Sequence, residues 1–172
     1  YQDITERKQS EDALKHERDL LQIFMDNIPD TIYFKDTESR FIRINQAQAE
    51  FLKLNDPQEA IGKTDRDFQS PDLARQFMEE EQRIIESDQP ILNRIELNPT
   101  EYGKPRWFSA TKVPVKDSAG RVTGILGISR DITELKKAEL EREALIAELE
   151  AKNAELERFT YTVSHDLKSP LV

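Results

Sequence analysis

The 172-residue sequence contains no cysteine. Disulfides, thiolate metal ligands and thiol nucleophiles are therefore excluded, as is a flavin held through a cysteinyl adduct, and the composition fits a reducing compartment such as the cytoplasm. Histidine is almost as scarce, since His16 and His165 are the only two. No histidine lies between them to serve as an axial haem ligand, which argues against haem in the central part of the chain.

Long apolar runs are also missing, because no stretch approaches the roughly 20 residues that a membrane-spanning helix needs. The net charge of -9 would repel a phosphate backbone, so we expect no nucleic-acid partner. The sequence begins without methionine and ends within a motif at 169–172. We therefore expect a cytoplasmic piece of a longer protein, with any membrane anchor or further domain outside it.

Glycine is absent from both ends of the sequence, because all five glycines fall between positions 62 and 127. The middle of the chain is therefore rich in turns, and the two flanks lack residues that break helices.

The middle segment alternates between β-rich runs and helical patterns. Residues 31–35 and 40–44 predict two strands joined by a hairpin loop at 36–39, and Pro71 to Ser87 predicts an amphipathic helix that starts with proline. Three further strands are predicted over 91–97, 106–115 and 122–132. Helices grouped between two sets of antiparallel strands predict an α+β domain with helices on one face of the sheet.

Both flanks show heptad patterns of apolar residues. In the second flank Arg142 and Lys152 interrupt the apolar seam, which predicts a parallel dimeric coiled coil of modest stability. The alternative is a single solvated helix that packs on its own domain. The seam residues are Leu14, Leu21 and Ile28 in the first flank, and Leu135, Ala138, Leu145, Leu149, Leu156, Phe159 and Val163 in the second.

A short repeat precedes each flanking helix, because Asp3-Ile4-Thr5-Glu6 recurs as Asp131-Ile132-Thr133-Glu134. Asp and Thr side chains accept hydrogen bonds from free N–H groups at a helix start, so the repeat suits the end of a strand and the cap of the next helix. We interpret residues 1–28 as the end of a preceding sensory domain plus a linker helix. Asp131, Ile132 and Thr133 are the candidates for signal transmission.

The segment from 29 to 133 resembles the PAS family. The resemblance is carried by Asp36, the run 40–45, Ala47, Gly62-Lys63-Thr64, 105–108 and 127–133. It implies a five-stranded antiparallel sheet whose concave face, covered by helices, can hold a ligand. Ser39 departs from the family, which often has glycine in this first hairpin.

The string from Phe159 to Leu171 resembles the H-box of sensor histidine kinases. Imidazole is neutral near physiological pH, so His165 is a competent nucleophile for phosphoryl transfer. The resemblance implies that His165 accepts the phosphoryl group, that Asp166 is its acid/base partner, and that Ser169 takes the position used for dephosphorylating the response regulator. It also implies a homodimer, a coiled coil over 134–157 and the start of the dimerisation and phosphotransfer helix over 158–172.

The same resemblance implies three things that act on the chain from outside. These are a receiver domain of a response regulator, the kinase's own ATP-binding domain, and ATP with Mg²⁺. The resemblance therefore implies that the full-length protein is a protein-histidine kinase. Because no nucleotide-binding motif accompanies His165, we expect this fragment to be inactive alone.

The PAS-like pocket has several candidate wall residues, and the sequence does not name its ligand. A non-covalent flavin or a small organic compound would contact the aromatic rings, while Arg94, Arg106 and Lys112 could pair with a carboxylate. Alternatively, the aromatic residues fill the core and the cations face solvent. The aromatic candidates are Tyr33, Phe34, Phe51, Phe77, Trp107 and Phe108.

Two functions follow from these patterns. The first is the sensory and relay segment of a two-component sensor histidine kinase, in which the PAS domain controls phosphorylation of His165 through a coiled coil. The alternative is a PAS module for dimerisation or ligand binding without a kinase output.

Overall fold

A computed structural model of the chain describes residues 2–98 and 105–168. Within these residues five strands form one antiparallel sheet in the order β2-β1-β5-β4-β3. The strands are β1 (Thr31–Asp36), β2 (Phe41–Ile44), β3 (Ile91–Asn98), β4 (Arg106–Lys116) and β5 (Val122–Asp131). The helices are α1 (Gln2–Asp26), α2 (Gln46–Phe51), α3 (Pro71–Ser87) and α4 (Thr133–Lys168), with short 3₁₀ helices at Pro57–Ala60 and Asp65–Asp67.

The predicted hairpin between β1 and β2 is closed by a local hydrogen-bond network. Asp36 Oδ1 accepts hydrogen bonds from the backbone N–H groups of Glu38 and Arg40, both at 2.9 Å. Ser39 has a φ of 60°, in the left-handed region where glycine is favoured. The loop thus adopts the left-handed conformation that glycine favours, although the residue in that position is a serine.

Asn45 joins the hairpin to the first helices of the domain. Its Oδ1 accepts from the backbone N–H groups of Ile32 and Gln48, so one side chain both caps α2 and contacts β1. Its Nδ2 donates to the backbone carbonyl oxygens of Met25 and Asp30. A fully buried amide with these partners fixes the end of α1 against the start of the sheet.

The apolar core lies between β2 and the elements that follow it. Phe41, Ile44, Ala49, Leu52 and Ala60 form one buried cluster. Partly buried Tyr33, Leu54 and Phe68 pack against this cluster, and the rings of Tyr33 and Phe68 both meet Phe41 edge to face.

The chain divides into two compact units, one ending at Asp131 and the other beginning at Ile132. The second unit is dominated by α4, a continuous helix of 36 residues in which no side chain is buried. Its apolar side chains at Leu145, Leu149, Leu156 and Phe159 are exposed. No helix among the described residues is long and apolar enough to cross a membrane.

The predicted fold class is confirmed. The strands start and end within about a residue of the predicted positions, and α3 has the predicted bounds. Flanking helices are present at both ends, whereas the pairing of α4 into a coiled coil stays a prediction. The division into 1–28, 29–133, 134–157 and 158–172 also stays a prediction.

Candidate functional site

A cavity of about 60 Å³ lies between the sheet and the elements that cover it. It is bounded by β1, β3, β4 and β5 on the sheet side, and by α2, α3 and the 3₁₀ helix Asp65–Asp67 on the other. The residues that line it are Thr31, Tyr33, Lys35, Gln48, Phe51, Leu52, Asp65, Gln69, Phe77, Glu81, Glu96, Phe108, Ala110, Lys112, Ile128 and Ser129.

One wall of the cavity is a buried ion cluster around Lys35. This lysine is 2% exposed, and its Nζ donates to Asp65 Oδ2 and, at 2.6 Å, to Glu81 Oε1. The ammonium group also lies 4.5 Å from the centre of the Phe41 ring and 5.0 Å from that of Tyr33. A buried cation is tolerated here because two carboxylates and two aromatic faces replace its water.

A second ion cluster lies beside the first and involves Glu80, the residue that precedes Glu81 in α3. Glu80 Oε1 accepts from Lys112 Nζ, and Glu80 Oε2 accepts from Arg94. Arg94 Nε in turn donates to Glu96 Oε1 at 2.8 Å. The adjacent carboxylates Glu80 and Glu81 therefore connect α3 to three different strands: β4 and β3 through Glu80, and β1 through Glu81.

The two adjacent glutamates of α3 have pKa values shifted in opposite directions. Burial raises the pKa of Glu81, and the nearby Asp65 adds to this shift, although Lys35 opposes it. Burial would also raise the pKa of Glu80, but hydrogen bonds and charges from Lys112 and Arg94 outweigh it and lower that pKa. Among the described residues, Glu81 Oε2 is a buried oxygen without a hydrogen-bond partner, so its carboxylate is the less well compensated of the two.

The structure brings together some of the predicted pocket residues and separates others. Tyr33, Phe51, Phe77 and Lys112 line the cavity, and so does Phe108. Phe34 and Trp107 do not line this cavity, because each is adjacent in its strand to a lining residue and successive side chains of a strand point to opposite faces.

The three cations predicted as partners for a carboxylate ligand form ion pairs within the protein. Arg94 does not line the cavity and contacts Glu80 and Glu96 instead. Lys112 does line it, but binds Glu80. Arg106 pairs with Asp131 at the end of β5. Each cation is already bound by carboxylates of the protein.

Sequence reasoning missed Lys35, Asp65, Glu81 and Gln48 as residues of the site. One signal for the glutamates was available, because Phe77, Glu80, Glu81 and Ile84 are spaced as one face of a helix. Acidic residues on the apolar face of an amphipathic helix must be paired inside the fold.

The predicted transmission residues lie at the junction between the sheet and α4. Asp131, the last residue of β5, forms an ion pair with Arg106, and the preceding Arg130 contacts both carboxylate oxygens of Asp30 at 2.9–3.1 Å. Ile132 contributes the carbonyl that accepts from Lys136 N–H in the first turn of α4, and Thr133 begins this helix.

The predicted phosphotransfer residues lie near the end of α4. His165 is exposed, and its Nδ1 is 3.5 Å from Asp166 Oδ1. The Tyr161 ring, one turn earlier, stacks on the imidazole with 6.3 Å between ring centres. Ser169 lies outside the described residues.

This sheet order, with a small cavity under helices that precede β3, defines an α+β domain with one sheet face covered by helices. A family model described as the PAS fold matches residues 25–137. The chain therefore belongs to the PAS family.

Curated relatives include sensor proteins. The methanogenesis regulatory histidine kinase FilI of Methanothrix harundinacea is 33% identical over 117 residues, which cover 68% of this chain and 13% of FilI. The virulence sensor protein BvgS of Bordetella parapertussis is 30% identical over 174 residues, which cover 98% of this chain and 14% of BvgS. The chain thus spans less than a fifth of the length of these relatives. The resemblance to PAS domains of sensor histidine kinases is confirmed.

Solved structures agree with this assignment. The PAS domain of Bordetella pertussis BvgS has a TM-score of 0.58 and 28% identity, and the match covers 78% of this chain and 98% of that domain. The phage VqmA–DPO complex has a TM-score of 0.59 and 28% identity, and covers 79% of this chain and 61% of that chain.

Proposed function

We propose that the chain is the sensory and relay segment of a two-component sensor histidine kinase. The PAS domain perceives a ligand or another signal and controls, through α4, the ATP-dependent phosphorylation of His165 and transfer to a receiver domain. The observation that carries this proposal is the position of His165. It lies in an H-box string on the same continuous helix that begins directly after the last strand of the PAS sheet.

The surroundings of His165 support a role as phosphoryl acceptor. Its side chain is 67% exposed, which leaves room for ATP and a receiver domain to reach it in turn. Asp166 beside Nδ1 favours the tautomer with the proton on Nδ1, so the lone pair of Nε2 is free to attack the γ-phosphorus. The bond between that phosphorus and ADP breaks as the N–P bond forms, and Asp166 is placed to take the Nδ1 proton.

A parallel homodimer through α4 is the second part of the proposal. Leu145, Leu149, Leu156 and Phe159 are all more than half exposed, and burying such a stripe against a second copy would remove it from water. Arg142 and Lys152 break the stripe, so the seam would be weak enough for two packings to lie close in free energy.

A phosphorylation experiment with a histidine control tests the proposal. The chain would be incubated with the ATP-binding domain of its kinase, Mg²⁺ and ATP labelled on the γ-phosphate. We expect an acid-labile label on the wild-type chain and on His16→Gln, and none on His165→Gln. His16 is a suitable control because it is the other histidine of the sequence and lies on an exposed helix.

Two outcomes would contradict the kinase proposal. One is a label that persists in His165→Gln. The other is that no variant takes up label, although the same ATP-binding domain is active when it is part of the intact wild-type kinase. Either result would favour the alternative, a PAS module for dimerisation or ligand binding that feeds another output.

A further inference from the structure

Among the described residues, the charges around the cavity leave no cation without a carboxylate partner for an anionic ligand. Five charged residues line it, and the three carboxylates of Asp65, Glu81 and Glu96 outnumber the two ammonium groups of Lys35 and Lys112. Lys35 binds Asp65 and Glu81, while Lys112 binds Glu80. An anion would add an uncompensated negative charge to a buried site that already has an excess of them, which is costly in a low-dielectric environment.

One buried polar side chain of the cavity has no protein partner. Gln48 is 5% exposed and lines the cavity from α2. Its backbone N–H is bound by Asn45 Oδ1 at 3.0 Å, but within the described residues no hydrogen bond is made by its side-chain amide. Buried amides are normally paired, and this one offers two N–H donors and a carbonyl acceptor.

Gln69 provides a second amide on the same cavity. It is partly buried, its backbone N–H donates to the Asp65 carbonyl at 2.8 Å, and its side-chain amide likewise makes no hydrogen bond to any described residue. The unpartnered polar groups on the wall thus include uncharged ones that both donate and accept.

The volume limits what these amides could bind. A cavity of about 60 Å³ has less than half of the roughly 150 Å³ at which an engineered cavity holds benzene. A flavin or a haem would need a large rearrangement of the walls, whereas a compound of a few non-hydrogen atoms would not.

We propose that the cavity binds a small uncharged compound with an amide-like edge, which pairs with the side-chain amide of Gln48. This rests on the proposed function in taking the cavity as the sensing site of the PAS domain, and it deepens that proposal by naming the chemical class of the ligand. An anion is disfavoured because the cations of the wall are bound by carboxylates. An uncharged edge with a donor and an acceptor is the complement of the uncharged amides of Gln48 and Gln69, which make no side-chain hydrogen bond to the described residues.

Acetamide and acetate are matched probes for this inference, because they have the same number of non-hydrogen atoms and differ in charge and in the N–H donors. Each would be titrated into the full 172-residue chain at constant ionic strength, with the Gln48 side-chain amide followed by ¹⁵N NMR. We expect saturable shifts with acetamide and binding of acetate at least about tenfold weaker.

Variants on α2 separate the binding role from a structural one. Gln48→Leu should weaken acetamide binding at least about tenfold and raise the midpoint of thermal unfolding, because an apolar side chain replaces an unpaired buried amide. Gln46→Leu, on the same helix but outside the cavity, should leave acetamide binding unchanged. Gln48→Met repeats the test with an unbranched side chain if the leucine does not fit.

The proposal is overturned if acetate binds as tightly as acetamide. It is also overturned if the folded Gln48 variants bind acetamide like the wild type, or if neither probe shifts the Gln48 resonances. Binding is measured without ATP or a receiver domain, so it is independent of label on His165. If His165 took up no label while acetamide still bound, the proposed kinase output would be rejected and the proposed ligand class would stand.

Discussion

Replacing Lys35 with methionine should destabilise the PAS domain far more than removing an exposed cation of the same type. The wild-type ammonium group binds Asp65 and Glu81 in the interior. Methionine keeps an unbranched side chain against the rings of Tyr33 and Phe41, so packing is largely conserved. The change therefore isolates the charge, and it leaves two carboxylates buried with no cation between them.

The expected size follows from the burial of the three groups. Removing one partner of a buried ion pair costs about 3–5 kcal/mol, because the remaining charge stays uncompensated. This is a large part of the roughly 5–15 kcal/mol that stabilises an ordinary domain. Lys116 is the matched control, since it pairs with Asp88 at 2.5 Å but is 42% exposed. Lys116→Met should cost no more than about 1 kcal/mol.

Urea unfolding followed by circular dichroism would measure the difference between these two variants. Near neutral pH we expect Lys35→Met to be less stable than Lys116→Met by at least about 2 kcal/mol, with similar m-values. The gap should shrink in acid, where the unpaired carboxylates become protonated. Adding Glu81→Gln to Lys35→Met should restore about 0.5–3 kcal/mol, because it removes one of the orphaned charges. Equal stability of the two lysine variants, or a gap that does not depend on pH, would refute this account.

Three further results are expected. The pKa of Glu81 is raised in the folded protein, so the folded protein keeps the carboxyl proton to a higher pH than the unfolded chain does. The contribution of Glu81 to the free energy of unfolding therefore falls as the pH rises from the ordinary glutamate pKa through the raised one. Glu81→Gln should remove this decline in a pH series of unfolding free energies, and parallel curves for the two proteins would contradict it. Gly124→Ala places a Cβ 2.0 Å from the Lys35 carbonyl oxygen. The Cβ of Gly120→Ala meets open space, and this variant should cost only about 1 kcal/mol because of its φ of 79°. Gly124→Ala should therefore lower the midpoint of thermal unfolding more, and the reverse order would be inconsistent with the packing of β5 on β1. Leu149→Lys should shift the sedimentation of the chain from dimer towards monomer, and an unchanged dimer would exclude the α4 seam.

The fold was largely predictable from the sequence because its signals are local. Alternating apolar residues mark each strand, and Pro71 at the first turn and an apolar stripe mark α3. The hairpin at 36–39 followed from turn-forming residues between two β-rich runs. The junction at Asp131 was predicted from a four-residue repeat, Asp-Ile-Thr-Glu, which we interpreted as a helix start; its second copy does lie where β5 ends and α4 begins, whereas the first copy lies inside α1. These signals depend on neighbours in the sequence, so one chain is enough to read them.

The cavity was only partly predictable because its chemistry depends on pairs that are distant in sequence. Tyr33, Phe51, Phe77 and Lys112 were expected in its wall, and they line it. Lys35 was missed, since the two carboxylates that allow its burial, Asp65 and Glu81, lie 30 and 46 residues later in the sequence. A lysine at the end of a β-rich run looks like a solvent-facing residue until its carboxylates are located.

The pairing of charges also bears on how a signal could leave the cavity. Two adjacent glutamates of α3 bind lysines of β4 and β1, which are the two strands that flank β5. A ligand that displaces α3 must therefore break these ion pairs or move both neighbours of β5 with the helix. Because each buried pair is costly to break, the second response is the cheaper one. β5 ends at Asp131, whose partner Arg106 lies at the start of β4. A shift of β4 against β5 would therefore alter this ion pair, which lies at the last residue of the sheet, two residues before α4 begins.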